Sequence, residues 1–171
     1  MKRTVSVILA VTFLTLTAVL STGCFKKRVP KNWYQVTLDY YTEGVRTNWA
    51  NEDPSLRLSI SADLKDYSKK RGYLLVDLDN DGVDELLVGY NDSSNFTVFT
   101  DVIVWHSDLG AYKLLGAGNG SYIGLCQDNV LVMKDNYEKK YLKWQSKSNS
   151  FLSVDGEGKY LPTKWDITYF K

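Results

Sequence analysis

One stretch constrains the fold of this chain more than any other: Tyr73-Leu-Leu-Val-Asp-Leu-Asp-Asn-Asp-Gly-Val-Asp-Glu-Leu-Leu-Val-Gly-Tyr90. Two apolar runs, Tyr73 to Val76 and Leu86 to Val88, flank a loop that carries Asp77, Asp79, Asp81, Asp84 and Glu85. Runs this short, with Asn80-Asp81-Gly82 between them, predict two strands joined by a tight turn, because Asn and Asp tolerate left-handed backbone and Gly prefers it. A bare turn has no use for so many acids. Asp77, Asp79, Asp81 and Glu85 would converge within a few ångströms, where carboxylates repel one another and raise their own pKa values. A bound cation removes that cost.

The spacing suits calcium, a hard cation that takes six to eight oxygens from alternate side chains and a backbone carbonyl. With Asp77 as position 1, Asp79 falls at 3, Asp81 at 5, Val83 offers its carbonyl at 7 and Glu85 falls at 9, while Gly82 takes the sharp turn at 6. An EF-hand would need a bidentate Glu at position 12 and a helix on either side, but position 12 is Val88 and the flanks read as strands. The segment Asp-Leu-Asp-Asn-Asp-Gly-Val-Asp-Glu instead resembles the calcium hairpin of FG-GAP and VCBS-type repeats, including the propeller of integrin α-chains. There an acid at position 9 replaces the last EF-hand ligand. The resemblance implies Asp77, Asp79, Asp81 and Glu85 as side-chain ligands and Val83 as carbonyl ligand, with Asp84 pointing outward. It covers 18 of 171 residues in a single copy. No repeat of fixed period accompanies it, which argues against a multi-bladed propeller. Four side-chain ligands without a twelfth imply weak binding, roughly 0.1 to 1 mM. At that affinity the ion acts as a permanent extracellular staple rather than a sensor.

The N-terminus sets the address. Lys2 and Arg3 precede Val5 to Leu20, which holds no charge, and Ser21-Thr22-Gly23-Cys24 follows. This is the pattern of a secretory signal. The uncharged run of 16 residues is shorter than the roughly 20 that span a bilayer as a helix. The small residues before Cys24 resemble the lipobox of bacterial lipoproteins, with Ser21 where leucine is usual. That resemblance implies a signal peptide at 1–23, acylation of Cys24, a tether at 24–31 and one domain at 32–171. An ordinary secreted protein with a stray thiol is the alternative. Removing 1–23 takes Lys2 and Arg3 and leaves 19 basic against 20 acidic residues, so no basic excess points to a nucleic-acid partner. Lys26, Lys27, Arg28 and Lys31 form either a solvated tether, the simpler reading, or a contact with anionic headgroups. With Cys24 acylated, Cys126 has no disulfide partner and reads as a buried inert thiol. The outline of lipobox, helix, one such hairpin and a β-rich tail is similar to small exported proteins of Firmicutes-type bacteria.

The remaining pattern predicts an α+β fold, an N-terminal helix packed on a mostly antiparallel β-meander that includes the calcium-binding hairpin. Tyr34, Leu38, Tyr41 and Val45 give one apolar helical face over Asn32 to Asn48, with Asn32 as N-cap and a loose end near Gly44 and Thr47-Asn48. Trp33 and Trp49 cover the core at the two ends. Leu56, Leu58 and Ile60 alternate as a short strand would, and Ser61 to Tyr67 reads as one or two helical turns. Strands follow at Thr97 to Trp105, Ala111 to Leu115, Ser121 to Cys126, Asn129 to Met133, Lys139 to Gln145, Phe151 to Val154 and Trp165 to Phe170. The most apolar, Thr97 to Trp105, is central. Asp101 in its middle faces solvent on the simpler reading, or reaches toward the metal loop.

Other candidates are weaker. His106 beside Ser107-Asp108 lacks a nucleophile elbow and reads as an exposed strand-end histidine. Gly116 to Gly120 lacks the Lys-Ser/Thr ending of a phosphate loop. The 5 Trp and 12 Tyr are either strand residues with one buried face or, near Tyr137 and Tyr141, an exposed aromatic strip of the kind that binds glycans or proteins. Trp144 and Trp165 read as core. The leading functional expectation is a non-enzymatic, lipid-anchored module outside the cytoplasm, rigidified by calcium, that binds a wall polymer, a glycan or a protein. A cell-envelope hydrolase or its accessory subunit, using carboxylates on the sheet, and a structural spacer are the alternatives.

Overall fold

The computed structural model describes residues 29–50, 60–91, 95–118, 120–156 and 158–171. Among them are one α-helix, α1 (Gln35–Thr47), a 3-10 turn (Ala62–Lys65) and nine strands. The strands are β1 (Lys70–Val76), β2 (Glu85–Asn91), β3 (Val98–His106), β4 (Gly110–Gly116), β5 (Tyr122–Leu125), β6 (Val130–Lys134), β7 (Lys139–Gln145), β8 (Ser150–Ser153) and β9 (Thr168–Tyr169). The expected α+β class is observed, and every strand pairing is antiparallel. The expected strand at Leu56 and Leu58 lies outside the described residues. No described helix is long and apolar enough to cross a membrane.

Helix α1 follows from Leu38 and Tyr41, both buried one turn apart on its inner face. Its ends differ from expectation. Tyr34, not Asn32, is the N-cap and gives no side-chain cap, while the Asn32 carbonyl accepts the Gln35 N–H at 3.1 Å. The C-terminus is closed rather than loose. Asn48 turns left-handed at φ 53°, its N–H reaches Val45 O, and the Trp49 N–H reaches Gly44 O at 2.7 Å, the paired bonds of a Schellman motif. Trp49 thereby folds back over Gly44, where a Cβ would come within 2.2 Å of the indole. Trp33 and Trp49 are both buried in the core beneath the helix.

The strands do not form a simple meander. Their order is β8-β7-β6-β5-β3-β2-β1-β9, with β4 also on β3. Strand β3 pairs with β2 on one edge, and with both β4 (from Asp101 on) and β5 (at Phe99). The C-terminal segment then returns across the fold. Pro162 bridges Cys126, Thr163 bonds Leu125 and Thr97, and β9 pairs with β1. A bulge shifts the β2–β3 register, so that Val88 faces Asp101 and Gly89 faces Phe99, with Thr100 the extra residue. The backbones approach closely there, and a Cβ on Gly89 would lie 2.0 Å from Val98 O.

Strand alternation divides the apolar residues between two cores. Leu86, Val88 and Tyr90 meet Leu38, Tyr41, Trp49 and Leu64 on the helix side. Leu87 packs on the other face with Phe99, Val102, Leu131, Trp144 and Ile167. Strands β2 and β7 are separated by β3, β5 and β6, which in a flat sheet would hold them about 19 Å apart at about 4.8 Å per step. Yet Trp144 of β7 shares the core of Leu87 and bonds Glu85 of β2 at 3.0 Å. The sheet therefore curls, and the β1–β2 loop meets the β7–β8 turn across the curl.

Candidate metal centre

The β1–β2 loop runs from Asp77 to Asp84, since the last register pair is Val76 with Glu85. Its path is set by short acid-to-amide bonds. Asp77 accepts the N–H of Asp81 through Oδ1 at 3.0 Å and that of Gly82 through Oδ2 at 2.8 Å, and Asp81 Oδ1 accepts the Val83 N–H at 2.9 Å. Asn80 and Gly82 take the left-handed region at φ 60° and 87°, where Gly carries no strain and Asn little. Leu78 anchors the loop by burying its side chain in the second core.

This path brings Asp77, Asp79 and Glu85 together, each presenting a carboxylate oxygen within 4.8 Å of the others. Asp81 lies on the exposed rim and outside that group, Val83 is half-buried and Asp84 is exposed. Cys24 lies outside the described residues. Glu85 is buried at 3% exposure and accepts two bonds, from the Leu78 N–H at 2.8 Å and from the Trp144 indole N–H at 3.0 Å. Burial strips its carboxylate of water and pushes its pKa from 4.5 up to about 8. The Leu78 amide opposes that rise, and the charges of Asp79, Asp81 and Asp77 add to it. Asp79 accepts the Ser146 N–H through Oδ2 at 2.7 Å, whereas its Oδ1 is buried with no hydrogen-bond partner among the described residues. A buried acceptor left unpaired costs about 1–3 kcal/mol, more when it carries charge. A cleft of about 600 Å³ between the loop (Leu78 to Asp81) and the β7–β8 turn opens beside it.

Three contacts to this site had no signature in the sequence. The Trp144 indole, the Ser146 amide and the Asn129 side chain, which donates to Asp77 O at 2.8 Å, come from 52 to 67 residues away. Trp144 was legible as core but not as a donor to an acid. These donors fix the orientation of the loop's acids and backbone from outside the loop. Together they tie the β1–β2 loop to the β5–β6 and β7–β8 connections.

Asp101 corrects both sequence readings. The Thr100 bulge turns it to the helix side, where it is fully buried, accepting the Tyr41 hydroxyl at 2.7 Å and pairing with Lys113 at 3.3 Å. It touches neither solvent nor the β1–β2 loop. The aromatic strip is likewise not formed: Tyr137 is 96% exposed but Tyr141 is buried at 6%. Trp144 is core, while Trp165 is half-buried with its indole donating to Leu125 O at 2.9 Å. Cys126 is buried as expected, and burial pushes its thiol up to about 11. His106 ends β3 and accepts the Asp108 N–H at Nδ1, 3.1 Å. No protein-family model, curated protein or solved structure matches the chain.

Proposed function

We propose that the β1–β2 loop holds calcium, with Asp77, Asp79 and Glu85 as the carboxylate core and Asp81 and the Val83 carbonyl completing the shell. The observation that carries this reading is Asp79 Oδ1, buried with no hydrogen-bond partner among the described residues, in a group of three carboxylates each with an oxygen within 4.8 Å of the others. A divalent cation supplies the partner and the charge that the cluster needs, and oxygen-only donors favour a hard ion that tolerates irregular geometry. The ion then works as a staple across the curl of the sheet, because its loop is also bonded to the β5–β6 and β7–β8 connections.

On this reading the protein is a lipid-anchored module outside the cytoplasm, held to the membrane through Cys24, and it acts by binding a glycan, wall polymer or protein rather than by catalysis. The test of the metal site is a thermal melt at increasing calcium. The melting point should rise over the millimolar range in the parent chain and stay flat in Asp79→Ala. A parent chain whose melting point ignores 10 mM calcium would refute the assignment.

A further inference from the structure

The first described residue, Val29, lies against the metal loop. It packs against the helix-side core together with Val83. It also shares one cleft with Pro30, Lys31, Gly82, Val83 and Asp84, and a second with Asp81, Val83 and His106. The described part of the domain therefore begins beside the β1–β2 turn. Only four residues separate Val29 from Cys24, and the five Cα steps between them reach at most about 18 Å when fully extended. A domain of this size is roughly 35–40 Å across. A link that spans only about half that width cannot carry the loop away from whatever holds Cys24.

We infer that the β1–β2 loop is the face this protein turns toward the bilayer. The inference rests on the reading of Cys24 as the acylated anchor. The occupant is the lipid surface carrying that anchor, and chain length commits to it. Charge agrees. Lys26, Lys27, Arg28 and Lys31 fall in the short link and at its end, and basic residues next to an anchor are attracted to anionic headgroups. The opposite end of the β1–β2 hairpin, at Lys70 and Asn91, is about 20 Å further out along a seven-residue strand. That far end is the one left free for a soluble partner.

The experiment uses the full chain, produced with its own leader, extracted from membranes and reconstituted into phosphatidylglycerol–phosphatidylethanolamine vesicles containing a lipid with a nitroxide on its headgroup. Fluorophores are placed on Asp84→Cys and Lys70→Cys, both exposed positions, with the unsubstituted chain as background for the buried Cys126. The Asp84 label should be quenched at least twofold more than the Lys70 label. Equal quenching, or stronger quenching at Lys70, in chains that float with the vesicles overturns the orientation alone. Flotation unchanged by Cys24→Ala, or absent in the parent, overturns the anchor and the orientation with it.

Discussion

The Asp101 network offers the sharpest test of how this fold is held together, because one atom can be removed without disturbing its packing. Tyr41→Phe deletes the hydroxyl that donates to Asp101 Oδ2 at 2.7 Å. The ring keeps its contacts, including the stack on Phe170 at 6.1 Å and the edge contact with Trp49. What remains is a carboxylate with no exposed surface, held among the described residues by Lys113. Burial raises the pKa of Asp101, against the opposing pull of Lys113 and of the Tyr41 bond. Removing that bond raises the pKa further. A hydrogen bond to a charged group is worth about 1.5–3 kcal/mol, and at about 3–4 °C per kcal/mol for a domain of this size the melting point should fall by about 5–10 °C near pH 8. The sign with pH follows from linkage. The Tyr41 bond stabilises the ionised form, so its contribution is present above the folded pKa of Asp101 and shrinks as pH falls through it. Tyr41 itself stays protonated throughout, because burial and the neighbouring Asp101 hold its pKa well above 10. Chemical denaturation of parent and variant from pH 8 down to pH 4 should therefore show two curves that converge on the acid side. A penalty below 1 kcal/mol at pH 8, or one that does not change with pH, would refute an ionised, Tyr41-bonded Asp101.

Two further outcomes follow. Trp144→Phe removes the indole N–H that Glu85 Oε1 accepts, and loss of such an outer partner should weaken calcium about 10-fold or more. Isothermal titration would detect this, and unchanged affinity would show that Trp144 serves the core alone. Gly89→Ala would drive a Cβ to 2.0 Å from Val98 O, a backbone atom that cannot swing aside. The bulge must then shift, and denaturant melts should show a loss above about 2 kcal/mol, the scale of overpacking.

The hairpin was legible because its information is local. Asp77, Asn80, Asp81 and Gly82 bond or bend within a few residues of one another, so spacing alone reports the turn. The helix face was legible for the same reason, through Leu38 and Tyr41. Its closed C-terminus was not. Asn48 carries the left-handed residue of a motif that usually advertises itself with glycine, and the glycine actually needed, Gly44, serves the fit of Trp49 instead. Asp101 was misread because strand alternation assumes an unbroken register. One extra residue, Thr100, reverses which side every later side chain faces. A bulge leaves no mark that distinguishes Thr100 from any other strand threonine.

The acid cluster shows where local reading stops. Sequence spacing nominates Asp77, Asp79, Asp81 and Glu85 equally, as side chains at alternate positions of one loop. The fold separates them by what reaches across the curl. Glu85 is drawn inward by the indole of Trp144, Asp79 is fixed by the amide of Ser146, and Asp81, among the described residues, is bonded within its own loop. These donors come from the strand pairings of β5 to β8, and so do not exist until the sheet has closed. An isolated peptide from Tyr73 to Tyr90 would keep the turn but lose the buried environment that raises the pKa of Glu85 and leaves Asp79 Oδ1 unpaired. Calcium binding by that peptide should be far weaker than by the folded domain. On the proposed calcium site, ion and curled sheet stabilise one another, since a cation bound only by the closed fold adds its binding free energy to folding.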